Sequence, residues 1–102
     1  MTETAVMADV VIVDNRDFWR VEAHVDGKVA GFAAYRDKQG RRVFTHTEVD
    51  PAFEGKGVGG ALARHALDEV ADEGNRKVMP LCPFIKAWIQ RHPNYVPLVY
   101  GA

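Results

Sequence analysis

The feature that most constrains this chain is a glycine-rich stretch at which the repeat of apolar residues changes its period. Before Asp50 apolar and polar residues alternate, as in a strand, and after Val58 the apolar residues recur with the spacing of a helix. Between the two patterns four glycines fall within six residues, at positions 55, 57, 59 and 60. Such a loop leaves the first N–H groups of the helix unpaired and lets a ligand approach the backbone closely. We therefore predict a phosphate or pyrophosphate site, since a plain turn would need only one glycine.

An antiparallel meander of four strands is predicted before this loop. Its segments alternate apolar and polar residues or carry β-branched runs, and turn signals such as Asp26-Gly27 separate them. The third segment is apolar on both faces, so we expect it to be covered on both sides. In the fourth, Phe44, His46 and Glu48 fall on one face. The four strands are predicted over residues 10–13, 19–25, 28–36 and 42–49.

A helix, a parallel strand and a second helix are predicted after the loop. The apolar residues that follow Val58 recur on one helical line, and Gly74 supplies the stop. A short strand over residues 77–81 should lie parallel to the fourth strand, because a helical crossover connects the two. The second helix is expected to begin at Pro83 and to stop before His92. The predicted fold class is therefore α/β, an antiparallel meander continued by a parallel pair around a crossover helix.

The two ends of the chain carry weaker patterns. Residues 1–9 show no clear period and are expected to fray at their start, and residues 94–102 are expected to be irregular or extended. Three large aromatic residues are expected in the core: Trp19, Phe84 and Trp88.

Length and charge narrow the classes of protein that the chain can represent. Its 102 residues suit one domain, covering residues 1–102. A net charge of −1 gives no basic footprint for nucleic acid. No stretch has the apolar length of a membrane span, and no secretory signal begins the chain, so a cytoplasmic location is expected. Cys82 is the only cysteine and the four histidines are scattered, so neither a disulfide nor a metal site is expected.

Three kinds of phosphate loop can be compared with the glycine-rich stretch. A P-loop needs Ser or Thr after its lysine, but Gly57 follows Lys56. A dinucleotide fingerprint needs a loop after the first strand of a βαβ unit, and here three predicted strands intervene. The third pattern fits better: residues 49–59, with Pro51 and Phe53 before the glycines, resemble the acetyl-CoA pyrophosphate loop of the GNAT superfamily of N-acetyltransferases. Glu54 stands where that family has Gln or Arg.

The resemblance covers about half of the chain. The runs His46-Thr47-Glu48-Val49 before the loop and residues 82–93 after it look like the small YjdJ-type branch of this superfamily. Members of that branch have roughly a hundred residues and omit most of the usual N-terminal helical region, which matches the length of this chain. The resemblance implies a minimal GNAT-like fold with a short C-terminal helix.

A splayed pair of parallel strands that holds acetyl-CoA follows from this resemblance. The backbone of Glu48 and Val49 would pair with the pantetheine amides, the glycine-rich loop would hold the pyrophosphate, and the acetyl group would lie near Cys82. No metal is implied. The cofactor-binding residues expected on this basis are Glu48, Val49, Gly55, Lys56, Gly57, Val58, Gly59, Gly60, Cys82, Asn94 and Tyr95.

Three residues are candidates for catalysis, each with a structural alternative. The positive end of a helix dipole favours a thiolate, so Cys82 could accept the acetyl group or protonate the departing CoA; it could also simply fill space, as buried cysteines do. Glu48, or else His46, could take the proton of an incoming amine, although polar residues on a half-exposed strand need no such role.

The function that these residues and the resemblance imply is transfer of an acetyl group from acetyl-CoA to an amine, directly or through Cys82. Two alternatives stay open: a non-catalytic acyl-CoA-binding module, and an interaction domain that keeps the loop as scaffold. Nothing in the spacing identifies the acceptor, which could be a small molecule, a peptide or a protein lysine, and nothing in it fixes the oligomeric state.

Overall fold

A computed structural model of the chain describes residues 10–101. The five strands form one sheet in the order β1-β2-β3-β4-β5, in which the first four strands are antiparallel and β4 and β5 are parallel. This arrangement confirms the predicted α/β class; the expectation for residues 1–9 falls outside the described range. The elements are β1 Val10–Asn15, β2 Arg20–Val25, β3 Lys28–Lys38, β4 Arg41–Val49, α1 Val58–Glu73, β5 Lys77–Pro80 and α2 Pro83–Arg91, with 3-10 turns at Arg16–Phe18, Pro51–Phe53 and Pro93–Leu98.

Both helices cover the same face of the sheet. On β3, Ala33 and Tyr35 are fully buried on this helix face, whereas Phe32 and Ala34 on the other, open face keep part of their surface exposed. Within residues 10–101 the prediction that β3 is covered on both sides is therefore wrong, because small and aromatic side chains make the open face apolar while Phe32 and Ala34 stay partly exposed there. The core on the helix face consists mainly of aliphatic residues of α1 and the central strands, among them Val21, Ala23, Phe44, Val58, Leu62, Leu67, Val70, Val78 and Ile85.

A β-bulge at Thr45 decides which residues of β4 reach which face. The register runs Tyr35 to Phe44 and then Ala34 to His46, so Thr45 has no partner of its own on β3. One extra residue reverses the alternation of side chains along the rest of the strand. As a result Phe44 lies on the helix face, while His46 is carried to the open face. The predicted face that joined Phe44 to His46 and Glu48 is wrong for this reason.

The helix α1 begins and ends at glycines with positive φ. Gly57 precedes it with φ 79°, and Gly74 follows it with φ 71°, donating its N–H to the carbonyl of Val70 (3.2 Å). This left-handed conformation is readily adopted by glycine and closes the helix by pairing one of its last carbonyls. The predicted stop at Gly74 is confirmed.

Several sequence expectations differ from the structure at the edges of elements. Trp19 adopts a left-handed conformation (φ 55°) before β2 and is 41% exposed, and Phe84 is also exposed, whereas Trp88 is buried as predicted. Residues 93–98 form a 3-10 turn instead of an irregular tail, because prolines at 93 and 97 fix φ in a range that suits this turn. Within residues 10–101 no helix combines the length and the apolar character needed to cross a bilayer.

We expect Gly31→Ala to destabilise the fold by about 1–3 kcal/mol. A Cβ at this position would lie 2.7 Å from the carbonyl oxygen of Glu48, a backbone atom that can move only if β4 shifts. Urea denaturation followed by tryptophan fluorescence would measure the loss. Gly27→Ala is the comparison for a glycine with open space around it, where only the backbone strain of its positive φ (79°) is expected to cost stability. A larger loss in Gly27→Ala than in Gly31→Ala would contradict the expectation.

Candidate functional site

The parallel strands β4 and β5 separate halfway along β4. They pair over Arg41–Phe44 and Lys77–Pro80 only. The last link is the N–H of Cys82, which donates to the carbonyl of Phe44 (2.9 Å). Just before this link the chain turns at Leu81, whose N–H donates to the carbonyl of Met79, and just after it the chain enters α2. Among residues 10–101, no parallel strand therefore pairs with residues 45–49 of β4, and a gap opens between them and Cys82.

Thr47 and Val49 form the edge of β4 that faces this gap. The N–H of Asp50 donates to the carbonyl of Ala30 on β3 (2.8 Å). Hydrogen-bonded and non-hydrogen-bonded pairs alternate along an antiparallel ladder, so Glu48 also turns its N–H and C=O toward β3. The backbone groups of Thr47 and Val49 point the other way, into the gap. The backbone groups that face the gap are thus those of Thr47 and Val49. The backbone of Glu48, which the resemblance implied, points toward β3 instead.

The loop between β4 and α1 exposes its backbone at the mouth of the gap. Asp50 stabilises its start by accepting a hydrogen bond from the N–H of Ala52 (2.9 Å). Gly55 and Gly57 both have φ near 80° (80° and 79°), a conformation that most other residues adopt only with strain. The first hydrogen bond of α1 runs from Ala61 to Gly57 (3.0 Å). The N–H groups at positions 58–60 precede it, so helical geometry provides them with no carbonyl partner.

Gly59 also lets Phe84 of α2 approach the start of α1. A Cβ on Gly59 would lie 2.8 Å from Cζ of Phe84, whereas one on Gly60 would lie 3.9 Å from Nε1 of Trp88, an ordinary van der Waals contact. The close approach leaves a groove of about 430 Å³ along the helix start, which we call the glycine groove. It is lined by Thr47, Val49, Phe53, Glu54, Gly55, Gly57, Val58, Gly59, Gly60 and Phe84.

Lys56 and Glu54 are both exposed residues of the loop. Glu54 lines the glycine groove, whereas Lys56 stands one residue from it, between Gly55 and Gly57. Both side chains are at the solvent boundary, where charges are screened.

Cys82 lies at the inner end of the gap, on the helix face. It is the residue that precedes α2, and only 3% of its surface is exposed. Its Sγ–H donates to Oγ1 of Thr47 (3.2 Å). The thiol is thus held between α2 and the strand edge that lines the glycine groove.

His46 and Glu48 lie on the opposite side of the sheet from Cys82. Their side chains are 62% and 63% exposed, and Nε2 of His46 is 3.8 Å from Oε1 of Glu48. His46 also contacts the ring of Phe32, at 6.0 Å between centroids. The structure therefore does not bring the three candidate catalytic residues together on one surface. It places Cys82 on the helix face of the sheet and the other two on the open face.

Asn94 and Tyr95 lie away from the glycine groove. The Tyr95 hydroxyl donates to Oδ1 of Asp68 on α1 (2.7 Å), and its ring packs edge-on against Trp88. The hydrogen bond to Asp68 raises the pKa of Tyr95, with desolvation adding to the effect. Asn94 is exposed beside it. Tyr95 thus fastens the last 3-10 turn to α1, and neither residue lines the groove.

Four residues that line the glycine groove were not predicted as site residues: Thr47, Phe53, Glu54 and Phe84. Thr47 could not be found because strict alternation assigned it to the face opposite Phe44, and the bulge reverses this assignment. Phe84 was expected in the core because large aromatic residues usually lie there. Within residues 10–101 no cluster of His, Cys, Asp or Glu has the composition to hold a metal ion.

The sequence of this chain is similar to that of a known acetyltransferase. A curated relative, the streptothricin acetyltransferase of Streptomyces lavendulae, is 43% identical over 63 residues, which are 60% of this chain and 32% of that protein. This chain thus spans about a third of the length of that relative.

Two solved structures share the fold. A GCN5-like protein from Staphylococcus aureus, solved by NMR, superposes with a TM-score of 0.69 and 20% identity over 94% of this chain and 93% of that one. The ribosomal-protein-S18-alanine N-acetyltransferase from Escherichia coli superposes with a TM-score of 0.54 and 21% identity over 76% of this chain and 48% of that one.

The family profile of the GCN5-related N-acetyl-transferases matches residues 20–98, which include the gap, the glycine groove and both helices. Because this match spans most of the chain, the protein belongs to the GCN5-related N-acetyltransferase family.

Proposed function

We propose that this protein binds acetyl-CoA and transfers its acetyl group to an amine. The observation that carries the proposal is the gap between β4 and β5, which opens beside the N–H groups at the start of α1 that have no carbonyl partner within the helix. A ligand that is long and thin, with a pyrophosphate at one end and a thioester at the other, fits these two features together. We also propose that the chain belongs to the small YjdJ-type branch, on the basis of residues 82–93.

The residues around the groove suit the parts of acetyl-CoA. Backbone N–H groups at positions 58–60, aided by the positive end of the α1 dipole, can hold a pyrophosphate, and Lys56 supplies a nearby cation. The outward N–H and C=O groups of Thr47 and Val49 can pair with amide groups, as an added strand would. Gly55 lets the ligand approach the loop closely, because no Cβ stands in the way.

The chemistry that we propose is direct transfer. Acetyl-CoA supplies an activated acyl group, and the acceptor amine reaches it from the open face. Glu48, assisted by His46, takes the proton of the incoming ammonium there, because both side chains are exposed on that face. As the new C–N bond forms, the thioester C–S bond breaks, the sulfur of CoA leaves, and the amine nitrogen releases its second proton to solvent. Cys82, whose Sγ–H points to Thr47 at the edge of the gap, donates that proton to the leaving sulfur and later recovers a proton from solvent.

The alternative route passes the acetyl group through Cys82. In that route the thiolate of Cys82 attacks the thioester, CoA leaves as the thiol, and the amine then displaces the acetyl group from Cys82. Direct transfer is the better fit, because Cys82 is 3% exposed and is separated by the sheet from the face that carries Glu48.

Intact mass spectrometry of the protein with acetyl-CoA tests the proposal. We expect a native adduct with acetyl-CoA, no acetyl mass after denaturation, and acetylated product when an amine library is added. Cys82→Ala should keep the adduct and lose turnover, and Cys82→Ser should retain part of the turnover because it restores a hydrogen-bond donor.

The other possible outcomes would indicate a different route, a different function or neither. An acetyl mass that survives denaturation, and is absent in Cys82→Ala, would establish the route through Cys82 and overturn direct transfer. Binding without turnover of any amine would indicate a non-catalytic acyl-CoA-binding module. No adduct at all would overturn the proposed function.

A further inference from the structure

The open face carries a second groove, which the proposed acetyl-CoA site does not use. It has a volume of about 310 Å³, and we call it the open-face groove. Its lining includes Arg20, Phe32, Glu48 and Asp50, together with backbone of Gly31 and Val49. It thus adjoins the proposed base, Glu48, on the side from which the acceptor amine would arrive. A groove of this size suits a small molecule.

Arg20 is held rigidly in this groove. Its Nε donates to Oε2 of Glu22 (2.7 Å), and its guanidinium lies over the ring of Phe32 at 4.5 Å from the centroid. Phe18 lies on another side of it, at 5.6 Å. These contacts engage Nε and the planar faces, and within residues 10–101 Nη1 and Nη2 form no hydrogen bond or ion pair. The fork of the guanidinium is therefore available to a ligand.

Glu22, which binds Arg20, is itself held in place by hydrogen bonds. Glu22 is 4% exposed and accepts hydrogen bonds from Asn15 (3.1 Å) and His24 (2.9 Å) as well as from Arg20. Burial alone would raise the pKa of Glu22, but these three hydrogen bonds outweigh burial and hold the pKa below its ordinary value. Glu22 stays ionised at neutral pH as a result. Arg20 is thus preorganised, which lowers the entropy cost of binding an anion.

The two ends of the open-face groove carry opposite charges. Its β4 end carries the carboxylates Glu48 and Asp50, and its β2 end carries the guanidinium of Arg20. The side chain of Arg20 is 28% exposed and that of Glu48 is 63% exposed, so both can reach a ligand. A molecule that matches this pattern has a cationic amine at one end and an anionic group at the other. A planar carboxylate is the group that a guanidinium fork binds in two parallel hydrogen bonds.

We propose that the acceptor is a small amino carboxylic acid, whose carboxylate binds Arg20 while its amine lies beside Glu48. This inference rests on the proposed function for the acetyl transfer, but it concerns the choice of acceptor. Arg20 is then a specificity-determining residue that contacts the substrate and takes no part in proton transfer. A plain alkyl amine lacks the partner for Arg20, and a polycationic acceptor would be repelled by it.

Matched acceptors test this inference. The probes are three matched pairs that have equal chain length and differ in the carboxylate: 5-aminopentanoate with pentylamine, 4-aminobutanoate with butylamine and 3-aminopropanoate with propylamine. We expect the KM of the preferred amino acid to be about tenfold lower than that of its matched alkyl amine, with similar kcat. Arg20→Gln should remove this difference by raising the KM of the amino acid only.

Two further variants separate specificity from folding. Arg20→Lys keeps a cation beside Glu22 but loses the fork, so an intermediate KM is expected. Arg91→Gln removes an exposed arginine in the last turn of α2, away from the groove, and should change nothing. Equal KM values for the matched pairs in the wild-type protein, or an unchanged ratio in Arg20→Gln, would overturn the inference.

A binding measurement without acetyl-CoA distinguishes this inference from the proposed function. The Nε–H signal of Arg20 in a ¹⁵N NMR spectrum should shift when an amino acid of the series is titrated in, and should not shift with pentylamine. Such a shift would support the groove even if acetyl-CoA failed to bind. The absence of a shift with all three amino acids would overturn the inference even if acetyl transfer to other amines were observed.

Discussion

Arg42→Ala is expected to lower the free energy of unfolding by about 3–5 kcal/mol, the largest loss of stability that we expect from a single substitution here. The side chain of Arg42 is fully buried. Its Nε and Nη2 donate to the two carboxylate oxygens of Asp37 (2.8 and 3.0 Å), and its Nη1 lies 3.5 Å from Oε1 of Glu69. The guanidinium also lies 4.1 Å from the centroid of the Tyr35 ring. Truncation would leave a partly buried carboxylate without its partner and a cavity beside Tyr35.

Urea denaturation monitored by tryptophan fluorescence would measure the loss. Because a domain of this size is stabilised by only about 5–15 kcal/mol, Arg42→Ala could fail to fold, and Arg42→Lys then provides the milder test. Lysine keeps the charge but cannot bind Asp37 through two parallel hydrogen bonds. The control is Arg91→Ala at an exposed position, for which a change within about 0.5 kcal/mol is expected. A loss below about 1 kcal/mol for Arg42→Ala would contradict the expected role of the ion pair.

The same ion pair predicts a dependence of stability on pH. Burial would raise the pKa of Asp37, but the hydrogen bonds and charge of Arg42 outweigh burial and lower it. A carboxylate with a lowered pKa in the folded state stabilises the fold fully above its unfolded pKa of about 3.9, and this contribution is lost as the pH falls below that value. Unfolding free energies measured from pH 5 to pH 3 should therefore fall more steeply in the wild type than in Asp37→Asn. Parallel curves would contradict the shift.

Gly55→Val is expected to weaken binding of acetyl-CoA by about a hundredfold, which corresponds to about 2.7 kcal/mol. Gly55 has φ 80°, lies exposed in the loop and lines the glycine groove. A β-branched residue is strained at this φ, and its side chain would occupy the space through which the pyrophosphate approaches the N–H groups at positions 58–60. Isothermal titration calorimetry with acetyl-CoA would measure the change in Kd.

Gly40→Val is a closely matched control for this substitution. Gly40 lies in the turn between β3 and β4, with φ 78° and no atom within 4 Å of an added Cβ, and Gly55 has equally open surroundings. Both substitutions should therefore cost similar stability through backbone strain. Only Gly55→Val should affect binding. Equal Kd values for the two variants would show that the loop backbone does not hold the ligand.

Several elements of the fold were predicted correctly from local patterns in the sequence. The helix from Val58 to the Gly74 stop was predicted because its apolar repeat and its glycine stop are local signals. The parallel pairing of β4 and β5 followed from the helical crossover between them. The glycine-rich loop was placed at the correct point for the same local reason, although Gly59 serves the packing of α2 as well.

Other features depend on contacts between residues far apart in the chain. The burial of Arg42 could not be predicted, since alternation gives no sign that Asp37 and Glu69 would surround a charged side chain. The fixed guanidinium of Arg20 likewise depends on Phe32 and Glu22, which lie on two different strands. In each case the partner residues come together only when the sheet has formed.

What the sequence determined by itself is therefore the set of elements, their order and the loop at which strand gives way to helix, because periodicity, turn residues and crossover geometry act over short distances. What only the tertiary structure decided is which face each residue of β4 reaches. The bulge at Thr45 arises from the pairing of β4 with β3, and one extra residue there sends Thr47 to Cys82 on the helix face and Glu48 to the open face. The alternation of apolar and polar residues along one strand gives no sign of such a bulge, because pairing with the partner strand produces it.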